Sequence, residues 1–230
     1  MFPILASKAF SAVFGVDFGS EYIKVGMALP GKSVHVAFNQ QSKRLSPSFF
    51  AFWNTTDPLN THPQGHWASA ELLNCSWSFL DQAKSHSMRF PQNAIKGYTP
   101  LLSDTLGFTR REAMALVLRH LISTVDDGRW KPETAQVVLA VEPFLSRAER
   151  TAIPEVFDIA GIKLTSVIDS PSAAATNYAL EKRSLFIDHP KTVLLIDVGA
   201  RGTWAAVFRF EMEKDNPIAT QLSIVTDETL

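Results

Sequence analysis

The sequence predicts an α/β protein built on a mixed β-sheet with helices on its faces. Apolar strand patterns alternate with helical patterns over the later part of the chain, as in proteins whose helices cover a sheet. A hairpin pattern with an Asp-Gly turn opens the chain at Val13–Met27, and the same plan returns at Val193–Phe208. The repetition indicates two related halves, of which the second begins near the end of the sequence.

The first hairpin, VFGVDFGSEYIKVGM, has a polar tip between two apolar arms. Asp17, Gly19 and Ser20 form the turn, and Tyr22–Met27 returns as a strand. Glycine lets backbone N–H groups approach an anion, and a hydroxyl adds a donor. An aspartate beside a phosphate is favourable only if a hydrated divalent cation lies between them. Taken alone, this stretch fits either an ordinary hairpin or a phosphate site.

The second hairpin, VLLIDVGARGTWAAVF, favours the phosphate site. Asp197 follows an apolar strand there, and Gly199, Gly202 and Thr203 form a small polar turn before the next strand. We expect the two Asp-Gly turns to lie at one edge of the sheet and to face each other across a cleft.

Shorter patterns fill the first half of the chain. Alternation predicts a strand over Ser33–Phe38, and an apolar run predicts another over Ser46–Trp53. Turn-forming residues make Asn54–Gly65 a loop. Apolar residues at spacings of three and four predict a helix over Trp67–Lys84.

Caps and turns define the second half of the chain. Thr109 and Ser146 each begin a capping box, and Gly161 ends the second helix. Ser170 caps a third helix with Pro171 in its first turn. The predicted elements are a helix from Thr109 to about Thr124, a strand at Gln136–Val141, a helix at Ser146–Ala160, a strand at Lys163–Ile168, a helix at Ser170–Glu181, a turn at Glu213–Pro217 and a strand at Thr220–Val225.

Composition narrows the class of protein. The 230 residues are 46% hydrophobic and 20% charged, with a formal net charge of −1. This balance gives no support for nucleic acid or an anionic membrane as the main partner. The single cysteine, Cys75, excludes an internal disulfide. Residues 1–12 are a possible signal or an N-terminal extension, and sequons at Asn54 and Asn74 give weak support to a secretory route.

Four segments, in order, resemble the seventy-kilodalton heat-shock chaperone family of the actin-like ATPase superfamily. They are VDFGSEYIKVGM, RLSPSFFAF, the stretch Lys131–Leu180 and IDVGARGT. The resemblance implies an actin-like ATPase fold of the ribonuclease H-like type. It assigns 13–191 to the first lobe of a nucleotide-binding domain, with a reduced outer subdomain around 54–108. It assigns 192–230 to the second phosphate hairpin and a truncated start of the second lobe.

Two turns resemble the large endoplasmic-reticulum members of the family, the hypoxia-upregulated or glucose-regulated type. These are Gly19-Ser20-Glu21 and the longer turn Gly199–Thr203. The likeness implies ATP or ADP and Mg²⁺ as cofactors, and a role in protein folding and the stress response. It implies unfolded clients bound through a domain outside this chain, and another heat-shock chaperone as partner. The expected location is the endoplasmic reticulum lumen, with the cytoplasm as alternative, and neither nucleic-acid binding nor membrane insertion is expected.

The resemblance also implies roles for individual residues. Two carboxylates would hold the water shell of magnesium, two loops would bind phosphate, a proline would act as a switch, and a lysine would assist hydrolysis together with Asp197. These residues are Asp17 and Asp197 for the metal, Gly19, Ser20, Glu21 and Tyr22 for the first loop, Gly199, Gly202 and Thr203 for the second, Pro143 for the switch, and Lys84 in preference to Lys96 for hydrolysis.

Two departures from the family pattern leave the activity open. Glu21 stands where ordinary members carry a second hydroxyl, and Ser170 stands where they carry a glutamate near the metal and the attacking water. The chain is therefore either a chaperone ATPase domain or a non-hydrolysing module that promotes nucleotide exchange on another chaperone. A sugar or acyl kinase is disfavoured, because the Pro143 region and Ser170–Ala175 follow the chaperone pattern.

Overall fold

The computed structural model describes residues 12–19, 22–39, 42–47, 49–52, 67–69, 88–89, 110–199 and 202–228. Its strands are β1 (Val13–Phe18), β2 (Tyr22–Ala28), β3 (His35–Val36), β4 (Ser46–Pro47), β5 (Phe49–Phe52), β6 (Trp67–Ser69), β7 (Met88–Arg89), β8 (Gln136–Val141), β9 (Lys163–Asp169), β10 (Lys191–Val198), β11 (Thr203–Glu213) and β12 (Asn216–Asp227). Its helices are α1 (Arg110–Gly128), α2 (Arg147–Ala160) and α3 (Ser170–Glu181), with short 3-10 helices at Pro132–Thr134 and Arg183–Phe186.

The larger sheet is mixed, which confirms the predicted fold class. Its strand order is β3-β2-β1-β8-β9, and β4 also pairs with β2. The hairpin β1–β2 is antiparallel, whereas β1, β8 and β9 run parallel. The parallel strands therefore deliver their carboxyl ends to one edge of the sheet.

Alternation along the strands builds the main core. Phe14, Val16 and Phe18 of β1 are buried, and the residues between them are more exposed. Helices α1 and α2 cover this face with buried residues at helical spacing, among them Leu118, Leu121, Ile153, Val156 and Phe157. The Arg119 guanidinium donates to the Ala160 carbonyl oxygen at 3.0 Å and so joins the two helices. His120 is also buried within α1, at 8% exposure.

Helix α2 has the ends that the sequence predicts. The Glu149 backbone N–H donates to the Ser146 hydroxyl oxygen at 3.3 Å, and the Glu149 carboxylate accepts from the Ser146 backbone N–H at 2.8 Å. At the other end Gly161 adopts φ 65° and ψ 33°, the left-handed conformation that glycine allows without strain. Both ends of α2 are thereby capped.

A second sheet, β10-β11-β12, packs on α3. Alternate residues of β11 are buried, and the Phe210 ring stacks on Phe186 with centroids 5.1 Å apart. Ala175 and Ala179 of α3 lie in the same cluster, and their small side chains let helix and sheet approach closely. Because α3 also contacts β8 and β9, it connects the two sheets.

Several predicted strands differ in extent. The predicted strand Ser33–Phe38 is reduced to β3, because only His35 and Val36 pair with β2. The predicted strand Ser46–Trp53 divides into β4, which pairs with β2, and β5, which pairs with β6 and β7.

The predicted helix at Trp67–Lys84 is wrong at its start. Trp67–Ser69 forms β6, whose backbone pairs antiparallel with Phe50–Phe52 of β5. Pairing with a neighbouring strand overrides the helical spacing of the apolar residues, which is a local signal only. The rest of that prediction, residues 70–84, lies outside the described residues.

Three boundaries in the second half also differ. Helix α1 continues beyond Thr124 to Gly128, which has φ 69°, and its predicted cap Thr109 lies outside the described residues. The cap of α3 is Asp169, because its carboxylate accepts from the Ser172 N–H at 2.8 Å. The turn predicted at Glu213–Pro217 contains only residues 214 and 215, because Pro217 pairs with Met212 across β11 and β12.

The second hairpin touches the loop that follows β8. A Cβ atom built on Gly202 would lie 2.6 Å from the Asp227 carbonyl oxygen and 3.0 Å from the Phe144 ring. A distance below 3.0 Å to backbone leaves no room for a side chain. Gly202 therefore packs against both β12 and the β8 loop at a distance that only glycine permits.

We expect Ser146→Ala to lower the free energy of unfolding by about 1 kcal/mol, because it removes the side-chain acceptor of the α2 capping box. Urea denaturation followed by circular dichroism measures this change. Ser223→Ala, an exposed serine of β12, is the matched control. Equal midpoints for the two variants would contradict the prediction.

We expect Gly202→Ala to destabilise the fold by about 1–3 kcal/mol, because the added methyl group overlaps the Asp227 carbonyl and the Phe144 ring. Gly15→Ala is the control, since a Cβ at Gly15 would meet no atom within 4 Å. Thermal denaturation compares the two alanine variants. The prediction fails if Gly202→Ala melts at the same temperature as Gly15→Ala.

Candidate functional site

Both hairpin turns line one cavity of about 500 Å³. Asp17, Gly19 and Tyr22 contribute from the first hairpin, and Asp197 and Gly199 contribute from the second. The predicted juxtaposition of the two Asp-Gly turns is thus present in the fold. It arises because β1 ends at the same edge as β8 and β9, and α3 brings the second sheet to that edge.

Other predicted residues stand beside the cavity or lie outside the described residues. The Gly199 N–H donates to the Gly202 carbonyl oxygen at 2.9 Å and closes the second turn, while Thr203 begins β11 opposite Val198. Gly202 and Thr203 do not line the cavity themselves. Ser20, Glu21 and Lys84 lie outside the described residues, and their roles stay predictions.

The glycines of both turns bring backbone atoms close together. A Cβ on Gly19 would lie 2.5 Å from the Tyr22 carbonyl oxygen, and a Cβ on Gly199 would lie 3.2 Å from that of Gly202. A larger residue would therefore push each turn open. Tight glycine turns that expose backbone N–H groups are a common way to hold a phosphate.

The C-terminal end of β8 and the start of α3 also line the cavity. Ala140 and Glu142 come from β8 and its loop, and Ser170, Ala173 and Ala174 come from the start of α3. The alanines leave open space where larger side chains would fill it. The N-terminus of this 12-residue helix carries a partial positive charge, which the Asp169 carboxylate already offsets by accepting from the Ser172 N–H.

The Ser170 hydroxyl is engaged by the backbone. It donates to the Val141 carbonyl oxygen at 3.0 Å and so joins the start of α3 to the end of β8. Asp169 performs the capping of the helix in its place. A hydroxyl in this position lacks the negative charge and the basicity that a glutamate would supply.

The loop that contains Pro143 is attached to α2. Arg150 donates from Nη2 to the carbonyl oxygens of Glu142 and Pro143, at 3.3 and 3.4 Å, and from Nε to that of Leu145 at 3.3 Å. Pro143 itself does not line the cavity, although its neighbour Glu142 does. The role of Pro143 as a switch stays a prediction.

Sequence reasoning missed two charged residues of the cavity, Glu142 after β8 and the basic residue Lys24. Its Nζ lies 2.6 Å from Oδ2 of Asp17, and both residues line the cavity. The two residues face each other directly across β1 and β2. Counting outwards from the hairpin turn would have found the pair, because each strand residue has one fixed partner once the register is known.

Within the described ranges, no three His, Cys, Asp or Glu side chains gather as direct ligands of a metal ion. No helix in the described part of the chain is long and apolar enough to cross a membrane.

Known proteins provide an independent comparison. The sequence profile of the Hsp70 protein family matches residues 89–214, a little more than half of the 230 residues. Hypoxia up-regulated protein 1 of Xenopus laevis is 26% identical over 237 residues, which cover 96% of this chain and 36% of the relative.

Two further relatives agree with this assignment. Hypoxia up-regulated protein 1 of Homo sapiens is 24% identical and that of Danio rerio is 23% identical, and the matches cover 95% and 91% of this chain. In each of these two cases the match covers 23% of the relative, so the chain spans between 23% and 36% of the length of the three proteins. The predicted resemblance is confirmed: this chain belongs to the Hsp70 family.

Proposed function

We propose that this chain binds ATP or ADP with Mg²⁺ as the nucleotide-binding part of a heat-shock-type chaperone that assists protein folding. The observation that carries the proposal is the meeting of two aspartate-containing glycine turns in one cavity at the N-terminus of α3. Such turns offer backbone N–H donors to phosphate. Membership of the Hsp70 family supports the same function.

The residues of the cavity fit a magnesium–phosphate group. Gly19 and Gly199 keep the two turns tight, since a Cβ at either position would meet a carbonyl oxygen of its own hairpin. Asp17 and Asp197 supply one carboxylate from each turn, and we propose that they hold Mg²⁺ through its water shell. Bound Mg²⁺ would neutralise part of the phosphate charge.

We propose that binding prevails over hydrolysis. The Ser170 hydroxyl donates to the Val141 carbonyl and offers no general base at the position where the family pattern has a glutamate. The negative charge of Glu21 beside the phosphates belongs to this proposal, whereas the predicted hydrolytic roles of Asp197 and Lys84 belong to the alternative of an active ATPase.

The same observation favours a second candidate function. A chain that binds nucleotide without rapid hydrolysis fits a non-hydrolysing module that promotes nucleotide exchange on another heat-shock chaperone. The relatives are named for up-regulation in hypoxia, which supports a role in the stress response. We also propose that unfolded clients are partners and that the protein lies in the endoplasmic reticulum lumen. The division of the chain into lobes at about residue 191 is likewise a proposal.

We expect Asp197→Asn to weaken ATP binding in Mg²⁺ by about tenfold, because the neutral amide holds the hydrated metal less strongly than a carboxylate. Isothermal titration calorimetry of the whole chain measures the affinity. Asp188→Asn, an exposed aspartate of the connection after α3, is the matched control. If the native chain released no heat with ATP and Mg²⁺, the nucleotide proposal would be wrong.

Single-turnover hydrolysis separates the two candidate functions. We expect a rate of ATP cleavage close to that in buffer, because Ser170 cannot activate water. The paired measurement is the release of labelled ADP from a second Hsp70-family chaperone, which the exchange-promoting module would accelerate. Rapid cleavage without any effect on release would favour the ATPase over the exchange module.

A further inference from the structure

The basic residue of the cavity has no place in the function proposed above. Lys24 is the only basic side chain among the described residues that line the cavity, where it stands with three carboxylates, those of Asp17, Glu142 and Asp197. We propose that the Lys24 ammonium is a fixed counter-cation for the phosphates of the nucleotide, so that binding depends less on Mg²⁺ than two aspartates alone would require. This inference rests on the proposed nucleotide binding.

The backbone fixes where the ammonium lies. Residues 17 and 24 are direct partners in the antiparallel pairing of β1 and β2, so their side chains project from the same face of the sheet. The ammonium lies 2.6 Å from the Asp17 carboxylate, on the face that lines the cavity. Any phosphate held by the Gly19 turn would therefore lie close to a positive charge that belongs to the chain.

Fold stability does not explain this ion pair. The side chains of Lys24 and Asp17 are 48% and 41% exposed, and ion pairs with that much solvent contribute about 0–1 kcal/mol to folding. Both side chains open towards the cavity, where a ligand can reach them. The pair is thus better suited to meeting a charged ligand than to holding the sheet together.

The chemistry of lysine permits two contacts at once. An ammonium has three donor hydrogens, so Lys24 can keep its contact with Asp17 and still donate to a phosphate oxygen. Its charge also offsets that of Asp17, which weakens the attraction between this carboxylate and a hydrated metal ion. Both effects make nucleotide binding depend less on Mg²⁺, because the phosphates gain a cation from the protein and Asp17 attracts the hydrated metal less strongly.

The test compares ATP binding in Mg²⁺ and in EDTA by isothermal titration calorimetry of the whole chain. We expect Lys24→Met to weaken binding in EDTA by about tenfold, the effect of losing one charge-assisted contact. In saturating Mg²⁺ we expect a loss of only about twofold to threefold, because the metal then supplies most of the positive charge. Lys24→Arg keeps the charge and should restore most of the affinity in EDTA.

Lys163→Met is the matched control. Lys163 is an exposed lysine at the start of β9, so it lies at the end of the parallel strands away from the cavity. We expect its affinities to equal those of the native chain in both buffers. Tripolyphosphate, titrated in the same two buffers, serves as a probe of the phosphate contacts alone and should follow the pattern of ATP.

The outcomes separate this inference from the function on which it rests. A native chain that binds no ATP in Mg²⁺ would overturn the nucleotide-binding proposal. A chain that binds ATP, but whose loss of affinity in EDTA is the same with and without Lys24, would overturn only the counter-cation. Tighter binding by Lys24→Met in Mg²⁺ would also overturn it, since Lys24 would then be an obstacle to the metal. Unchanged thermal midpoints verify that each variant is folded.

Discussion

The packing of α3 between the two sheets is the constraint on which the site depends. One part of this helix contacts β8 and β9, and another lies against β11 and β12 through Ala175 and Ala179. Small side chains allow this double approach, because a larger residue would separate the layers that it joins. The cavity is therefore a product of core packing, and its two turns are held together by the packing of α3 between the sheets.

The residues of the candidate site lie at a single edge of the main sheet. Parallel strands β1, β8 and β9 end there, and the chain leaves each of them in a different way: into a hairpin turn, into the Pro143 loop and into α3. Arg150 holds the loop and the Ser170 hydroxyl holds the helix start, each through backbone carbonyl oxygens. The site is thus attached to regular structure at three points, which fixes the positions of its polar groups relative to one another.

Much of the fold could be predicted because its signals are local. The capping box of Ser146 and Glu149, the αL glycine at 161 and the strand Gln136–Val141 are each encoded by a few neighbouring residues, and all have their predicted form. Trp67–Ser69 could not be predicted in this way, since its partner β5 lies fifteen or more residues earlier. Asp169 displaced Ser170 as cap because two adjacent residues could both cap, and only the contact with Val141 decides between them. Lys24 was missed for a related reason, because its pairing with Asp17 depends on strand register.

The ion pair of Asp17 and Lys24 has a consequence for the rates of binding. A net charge of −1 gives this chain no long-range field that would draw a polyanion towards it. At physiological ionic strength an exposed ammonium acts over only about 8 Å. The charge of Lys24 therefore reaches a ligand that has already entered the cavity and not one that is still approaching. Lys24 therefore affects mainly the dissociation rate, which sets how long a bound ligand stays in the cavity.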